Sequence, residues 1–212
     1  MQLHILPSGP IETNAYLLCA VERAEAVLID APGGIWDQVM PLLEASGCRL
    51  RELWLTHGHW DHMQGASEVV RHSGALVRAH AADRDWIENP AQMSRFMRLR
   101  IELEPVTVGA WLEHGATLAA LGETFEVRHV PGHSPGNVLF HCAVHRAAFV
   151  GDALFRGGVG RWDLPGGDFA VLAESIRRQI YTLPSETTVF PGHGPETTVE
   201  REAADNPYVK RS

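Results

Sequence analysis

Residues 56–62 read Thr56-His57-Gly58-His59-Trp60-Asp61-His62. Four side chains able to bind a metal, His57, His59, Asp61 and His62, follow directly on the apolar-rich run Leu50–Leu55. Such a run reads as a strand, and a strand ending in a tight turn can aim His57 and His59 at one point. The turn then brings Asp61 and His62 to a second point close by. Imidazole and carboxylate are ligands of zinc, iron and manganese. A chain with this cluster is constrained to place a strand end where two cations can sit.

Two cations need more donors than four, and three further candidates lie downstream. His133 stands in Pro131-Gly132-His133-Ser134-Pro135-Gly136, Asp152 in Phe149-Val150-Gly151-Asp152, and His193 in Phe190-Pro191-Gly192-His193-Gly194. Each follows a short apolar run that reads as a strand, and each is flanked by Gly or Pro, which let the backbone turn sharply. Asp30, at the end of another strand, has two readings. It fixes a ligand His or the ligand-bearing turn, or it caps the turn before Pro32-Gly33.

Alternating elements are expected around these motifs. The pattern predicts strands near Leu3–Leu6, Ala15–Cys19, Val27–Asp30, Leu50–Thr56 and Ala75–Ala79. Helices are expected over Ile35–Ser46 and His62–His72, stopped by Gly47 and Gly74. Residues 81–104, with Trp86, Phe96 and Met97 at irregular spacing, predict a short helix and a mobile loop. Strands resume at Leu118–Leu121, Phe125–Val130, Val138–Cys142, Ala147–Val150 and Thr188–Phe190. Apolar residues at 169, 172, 176 and 180 predict a helix over Phe169–Tyr181. The alternation suggests an α/β chain of two packed sheets with helices outside.

With these motifs in their order, the chain resembles the metallo-β-lactamase superfamily, and within it the glyoxalase II-like (hydroxyacylglutathione hydrolase-like) enzymes. Thr13-Asn14-Ala15-Tyr16-Leu17-Leu18, Gly151-Asp152-Ala153-Leu154-Phe155, Gly158-Val159-Gly160-Arg161 and Leu164-Pro165-Gly166-Gly167-Asp168 carry the narrower likeness. The resemblance implies a single domain over residues 1–212, folded as a four-layer αββα sandwich with a metal site at one edge of its sheets. It implies that His57, His59 and His133 hold a first metal, that Asp61, His62 and His193 hold a second, and that Asp152 bridges them. Zinc is the first choice, with iron or manganese as alternatives.

The chemistry so implied is hydrolysis of a thioester of the S-D-lactoylglutathione type. The nucleophile is a metal-bridging hydroxide, with Asp61 and Asp152 as the catalytic carboxylates. Arg161 lies near the position of a basic residue that contacts glutathione in glyoxalase II, and it can equally pair with Asp163 or Asp168. The 81–104 segment offers Arg95, Arg98 and Arg100 as a partial cover for a substrate cleft. Only 19 residues follow His193, so the additional C-terminal helical region of full-length glyoxalase II is expected to be largely missing. The thioester chemistry therefore transfers better than the identity of the substrate.

Other classes are weighed against this. A mononuclear iron persulfide dioxygenase would use His57, His133 and Asp152 as a facial triad. Many zinc β-lactamases have Cys where this chain has Asp152. A non-catalytic scaffold would bury costly carboxylates and imidazoles to no end. A Ser-His-Asp mechanism lacks a nucleophile elbow around Ser134.

Composition narrows the field further. A net charge of −8 argues against nucleic acid as a partner. Met1–Pro10 does not read as a signal peptide, and no apolar run is long enough to span a membrane. Cys19, Cys48 and Cys142 are scattered and odd in number, as expected of reduced thiols in a cytoplasmic protein. The partner is a small molecule, and monomer and homo-oligomer both stay open.

Overall fold

Thr13–Ala20 is buried along its whole length, as expected of a strand covered on both faces. In the computed structural model, which describes residues 1–96 and 101–211, it is the second strand of a six-stranded sheet. The chain divides into two compact units. One spans residues 1–112 with 120–122, the other 113–119 with 123–212.

The first unit is built on strands β1 (Gln2–Ser8), β2 (Thr13–Ala20), β3 (Glu25–Ile29), β4 (Arg49–Trp54), β5 (Leu76–His80) and β6 (Ala110–Leu112), in that spatial order. The first three run antiparallel, and β3, β4, β5 and β6 run parallel. Parallel neighbours need crossovers, and helices supply them. Helix α1 (Trp36–Ser46) joins β3 to β4, and α2 (Trp60–Met63) with α3 (Ala66–Ser73) joins β4 to β5. Leu17, Leu28 and Leu53 from the strands pack with Val39 of α1 and Val69 of α3. Truncating one such fully buried Leu to Ala would cost about 2–5 kcal/mol.

Gly47 and Gly74 end α1 and α3 in the left-handed conformation. The helix expected over His62–His72 is instead two, broken at Gln64-Gly65. The reason is a close approach. Gly65 donates its N–H to the Ala31 carbonyl at 2.8 Å, and a Cβ there would stand 2.4 Å from the Pro32 oxygen. The chain must therefore step off α2 before it can start α3.

Residues 81–96 hold more order than a short helix and loop. A 3₁₀ turn over Ala81–Asp83 leads into α4 (Arg84–Glu88) and α5 (Ala91–Phe96). Of the arginines suggested as a cover, Arg98 and Arg100 lie outside the described residues, as does the side chain of Arg95.

The second unit holds strands β7 (Thr117–Ala120), β8 (Glu123–His129), β9 (Val138–Cys142), β10 (Ala147–Gly151), β13 (Thr188–Pro191) and β14 (Thr197–Thr198), ordered β14-β13-β10-β9-β8-β7. A small hairpin, β11 (Leu154–Phe155) with β12 (Gly158–Val159), follows β10. Strands β9 and β10 are buried throughout. Helix α6 (Phe169–Ser175) passes into a π-helical stretch, Ile176–Ile180, where Tyr181 donates to the Ile176 carbonyl. Leu172, Ile176 and Ile180 keep the predicted apolar face and pack with Val150 and Val189.

The tail beyond His193 forms β14 and α7 (Val199–Asp205). Its buried Glu202 accepts from Thr197 Oγ1 (2.7 Å), Gly157 N (2.9 Å) and Asn206 Nδ2 (2.8 Å), and so ties α7 to the β11–β12 hairpin. Among the described residues no helix is long and apolar enough to cross a membrane.

Candidate metal centre

In the first unit, β3 and β4 run parallel, so their C-terminal ends share one edge. The open C-terminal edge of parallel strands is where α/β sheets place ligands. Asp30 leaves the end of β3, and Thr56 and His57 leave the end of β4. His57 and His62 are almost fully buried, and His59 and Asp61 nearly so. The ring centroids of His57 and His59 are 4.7 Å apart, and those of His57 and His62 are 4.1 Å apart.

Hydrogen bonds settle which nitrogen each ring presents. Asp30 Oδ1 accepts from Thr56 N, and Oδ2 accepts from Thr56 Oγ1, both at 2.7 Å. A hydroxyl has one proton. With that proton on Asp30, Thr56 Oγ1 accepts from His57 Nδ1 at 3.0 Å, which leaves His57 Nε2 as the lone-pair nitrogen. Nδ1 of His62 donates to Asp30 Oδ2 at 2.8 Å, leaving Nε2 for a ligand. One buried carboxylate therefore fixes the tautomer of two rings.

Asp30 reaches this geometry with φ at +61°, a left-handed conformation that Asp tolerates better than most residues. Its hydrogen bonds run to Thr56 and His62, on the turn that carries the histidines.

In the second unit, β8, β10 and β13 point the same way. Each of β8 and β10 is antiparallel to β9, and β10 is parallel to β13. Their C-terminal ends again share an edge and carry His133, Asp152 and His193. Gly192 N–H donates to the Gly151 carbonyl at 2.8 Å, which locks two of these ends together. Nδ1 of His133 donates to the Arg161 carbonyl at 2.7 Å, leaving Nε2. That approach requires glycine at 160, where a Cβ would fall 1.9 Å from the Asp152 oxygen and 2.8 Å from His133 Nδ1. His129 Nε2 donates to the Pro135 carbonyl at 2.7 Å and braces the loop that holds His133.

The donor spacing suits a metal better than it suits direct bonds. Two ligand atoms each about 2.0–2.1 Å from a tetrahedral ion stand about 3.3 Å apart. His62 Nε2 lies 3.3 Å from Asp61 Oδ2, and Asp152 Oδ2 lies 3.6 Å from His133 Nε2 and 3.5 Å from His193 Nε2. Each imidazole–carboxylate separation is long for a charge-assisted hydrogen bond and close to ligand–ligand spacing.

The family is decided by the reach of the pattern, since the model of the metallo-beta-lactamase superfamily matches residues 8–193. The chain belongs to that superfamily. Hydroxyacylglutathione hydrolase GloC of Haemophilus influenzae is 34% identical over 99% of this chain and 98% of its own. Two crystal structures are similarly complete matches. BLEG-1, a B3 metallo-beta-lactamase, has TM-score 0.88 and 36% identity, covering 98% of this chain and 99% of its own. TTHA1623 in a di-iron-bound form has TM-score 0.86 and 39% identity, covering 97% and 100%. As a metallo-β-lactamase-fold protein with His and Asp donors at its sheet edges, the chain is a metal-dependent hydrolase.

Several residues that shape these edges went unnoticed in the sequence. Thr13 Oγ1 donates to Asp61 Oδ2 at 2.9 Å, within the very stretch that carried the family likeness. Asp83 accepts from the Gly58 amide at 2.8 Å, and Trp86 stacks on His59 at 5.1 Å. Neither has a local pattern that would reveal it.

Arg161 is exposed and forms a two-pronged pair with Asp163, with Nε to Oδ1 and the terminal nitrogen to Oδ2 both at 2.9 Å. The pairing holds the Asp163 carboxyl below the usual carboxylate range. Asp168 is engaged elsewhere, capping α6 through the Val171 amide. The backbone of Arg161, rather than its side chain, touches His133.

Proposed function

We propose that the chain acts as one domain over residues 1–212 and hydrolyses thioesters of the hydroxyacylglutathione type at a centre of two divalent metal ions. His57, His59 and His133 are assigned to one ion, Asp61, His62 and His193 to the other, and Asp152 to both. The observation that carries this reading is the position of Asp152 Oδ2, which faces the Nε2 atoms of both His133 and His193 at 3.6 and 3.5 Å. A shared carboxylate oxygen is the expected arrangement of a bridging ligand. Imidazole and carboxylate donors suit zinc, iron and manganese. Zinc is preferred, and the di-iron form of the 39% identical TTHA1623 supports iron as the alternative.

Ions held there polarise an acyl oxygen and lower the pKa of a bound water. The chain's own groups do the positioning. Asp61, pinned by Thr13, orients the attacking water as well as serving as a ligand. Asp30 and the Arg161 carbonyl keep the ring nitrogens of His57, His62 and His133 available. No side-chain nucleophile is needed, and the thiolate leaves directly. Arg161 meets a substrate carboxylate by exchanging Asp163 for it. GloC, 34% identical over nearly the full chain, supports the thioester class. The three free, buried cysteines fit a reducing compartment and so a cytoplasmic location.

A comparative assay on one preparation with defined metal loading tests the proposal. S-D-lactoylglutathione, a shorter thioester without a carboxylate, glutathione persulfide and a β-lactam are offered side by side. Thioester turnover well above the other two classes is expected. In R161A, KM should rise about tenfold, the weight of one exposed charge-assisted contact, for the carboxylate-bearing thioester alone. Faster turnover of persulfide or β-lactam would replace this reading, and an equal loss on both thioesters would make Arg161 structural.

A further inference from the structure

We infer that Asp83 is a positioning residue for the His57-Gly58-His59 turn, and that Trp86 and Ile87 complete a clamp that fixes where the two imidazoles stand. This rests on the metal-centre reading of His57 and His59.

Asp83 occupies the N-cap position of α4, where an Asp side chain ordinarily accepts from its own helix. It makes no such cap bond. Its carboxylate, 1% exposed, reaches instead to Gly58 and accepts that backbone N–H at 2.8 Å. Asp83 is the last residue of the 3₁₀ turn that runs into α4, with φ −102° and ψ 13° rather than an extended capping backbone.

Residues 83, 86 and 87 lie at the spacing of one helix face. All three meet the same turn. A Cβ on Gly58 would stand 3.0 Å from Asp83 Cβ and 3.1 Å from Ile87 Cγ1, so the turn is pressed against this face as closely as a glycine allows. Trp86 lies flat on the His59 ring, centroids 5.1 Å apart and planes 18° from parallel. The stack opposes rotation of the imidazole, while the Gly58 bond opposes rotation of the backbone between the two rings.

Such a brace has a chemical purpose. Two histidines one residue apart chelate a single ion only if both rings aim at one point. The residue between them is glycine, the most mobile backbone unit. An amide bonded to a buried carboxylate removes that mobility before the metal arrives. Partners of this kind typically govern metal affinity by 10- to 100-fold.

The test is zinc competition titration of metal-free protein, with hydrogen exchange at the Gly58 amide measured on the same metal-free samples. In D83A, zinc affinity should fall 10- to 100-fold and Gly58 should exchange faster. D83N, whose amide oxygen still accepts from Gly58, should stay close to wild type in both. Zinc binding and Gly58 protection in D83A equal to wild type would overturn the inference. So would a lowered melting temperature with zinc affinity unchanged, because that is the mark of a merely structural residue. Should D83A fail to fold, W86A takes its place at a half-buried position. Weaker zinc at an unchanged melting temperature then supports the clamp, and unchanged affinity overturns it. If wild type binds no zinc, the metal-centre reading fails, and the exchange comparison still decides whether Asp83 holds the turn.

Discussion

Asp30 Oδ2 accepts the Nδ1 proton of His62 at 2.8 Å inside the first unit, from a backbone held at φ +61°. The same oxygen takes the Thr56 hydroxyl proton, and through it the tautomer of His57 is set. Replacing Asp30 by Ala would leave three buried donors, Thr56 N, Thr56 Oγ1 and His62 Nδ1, without their acceptor. Each orphaned buried donor costs about 1–3 kcal/mol, so a loss on the order of 3 kcal/mol or more is expected. Urea unfolding of the metal-free protein checks this. D30N tolerates the left-handed backbone and separates the charge effect from the conformational one.

Gly160 is a second position at which one substitution should disturb the site. G160A would drive a methyl into the Asp152 carbonyl and against His133 Nδ1. Overpacking of this kind costs about 1–3 kcal/mol, and here it also pushes Arg161 O away from His133. The expected outcome is a lower melting temperature together with reduced metal content per folded protein. A variant with normal metal content would mean that the His133–Arg161 contact does not set the ring.

The cysteines should be bystanders. Burial, reinforced by the neighbouring Cys48, pushes the Cys19 thiol up to about 11, and burial also raises Cys142. All three thiols are buried. At pH 7.5 Cys19 and Cys142 are neutral, and burial shields all three from reagents, which makes them poor nucleophiles. Iodoacetamide treatment of the folded enzyme should leave thioester turnover unchanged. A trapped acyl-enzyme or proportional inactivation would argue for covalent catalysis.

His57, His59, His133, Asp152 and His193 could be singled out because each stands beside Gly just after an apolar run, and Asp61 and His62 because they fall within a few residues of the first pair. Asp30 was half legible. Its place at a strand end was plain, but its partners lie 26 and 32 positions away, at Thr56 and His62. The roles of Asp83 and of Thr13, the latter within the stretch that carries the family likeness, were hidden for the same reason. Their partners Gly58 and Asp61 are brought near only by the sheet, and a lone Asp or Thr has no periodic pattern.

The continuous helix expected over His62–His72 failed on a tertiary contact. Local spacing favours one helix, but the approach of Gly65 to Ala31 and Pro32 breaks it. Strands β6, β11, β12 and β14 are two or three residues long and are held by their neighbours, too short for any alternation to register.

The most direct measurement is metal content and thioester turnover on the same preparation, for wild type and D152A. Wild type should hold two equivalents of divalent metal, with S-D-lactoylglutathione hydrolysis that disappears on chelation and returns with metal. In D152A both equivalents should weaken and most turnover should be lost, whereas H193A should lose mainly one. A D152A protein that kept both metals and near-normal turnover would contradict the bridging role and with it the proposed centre.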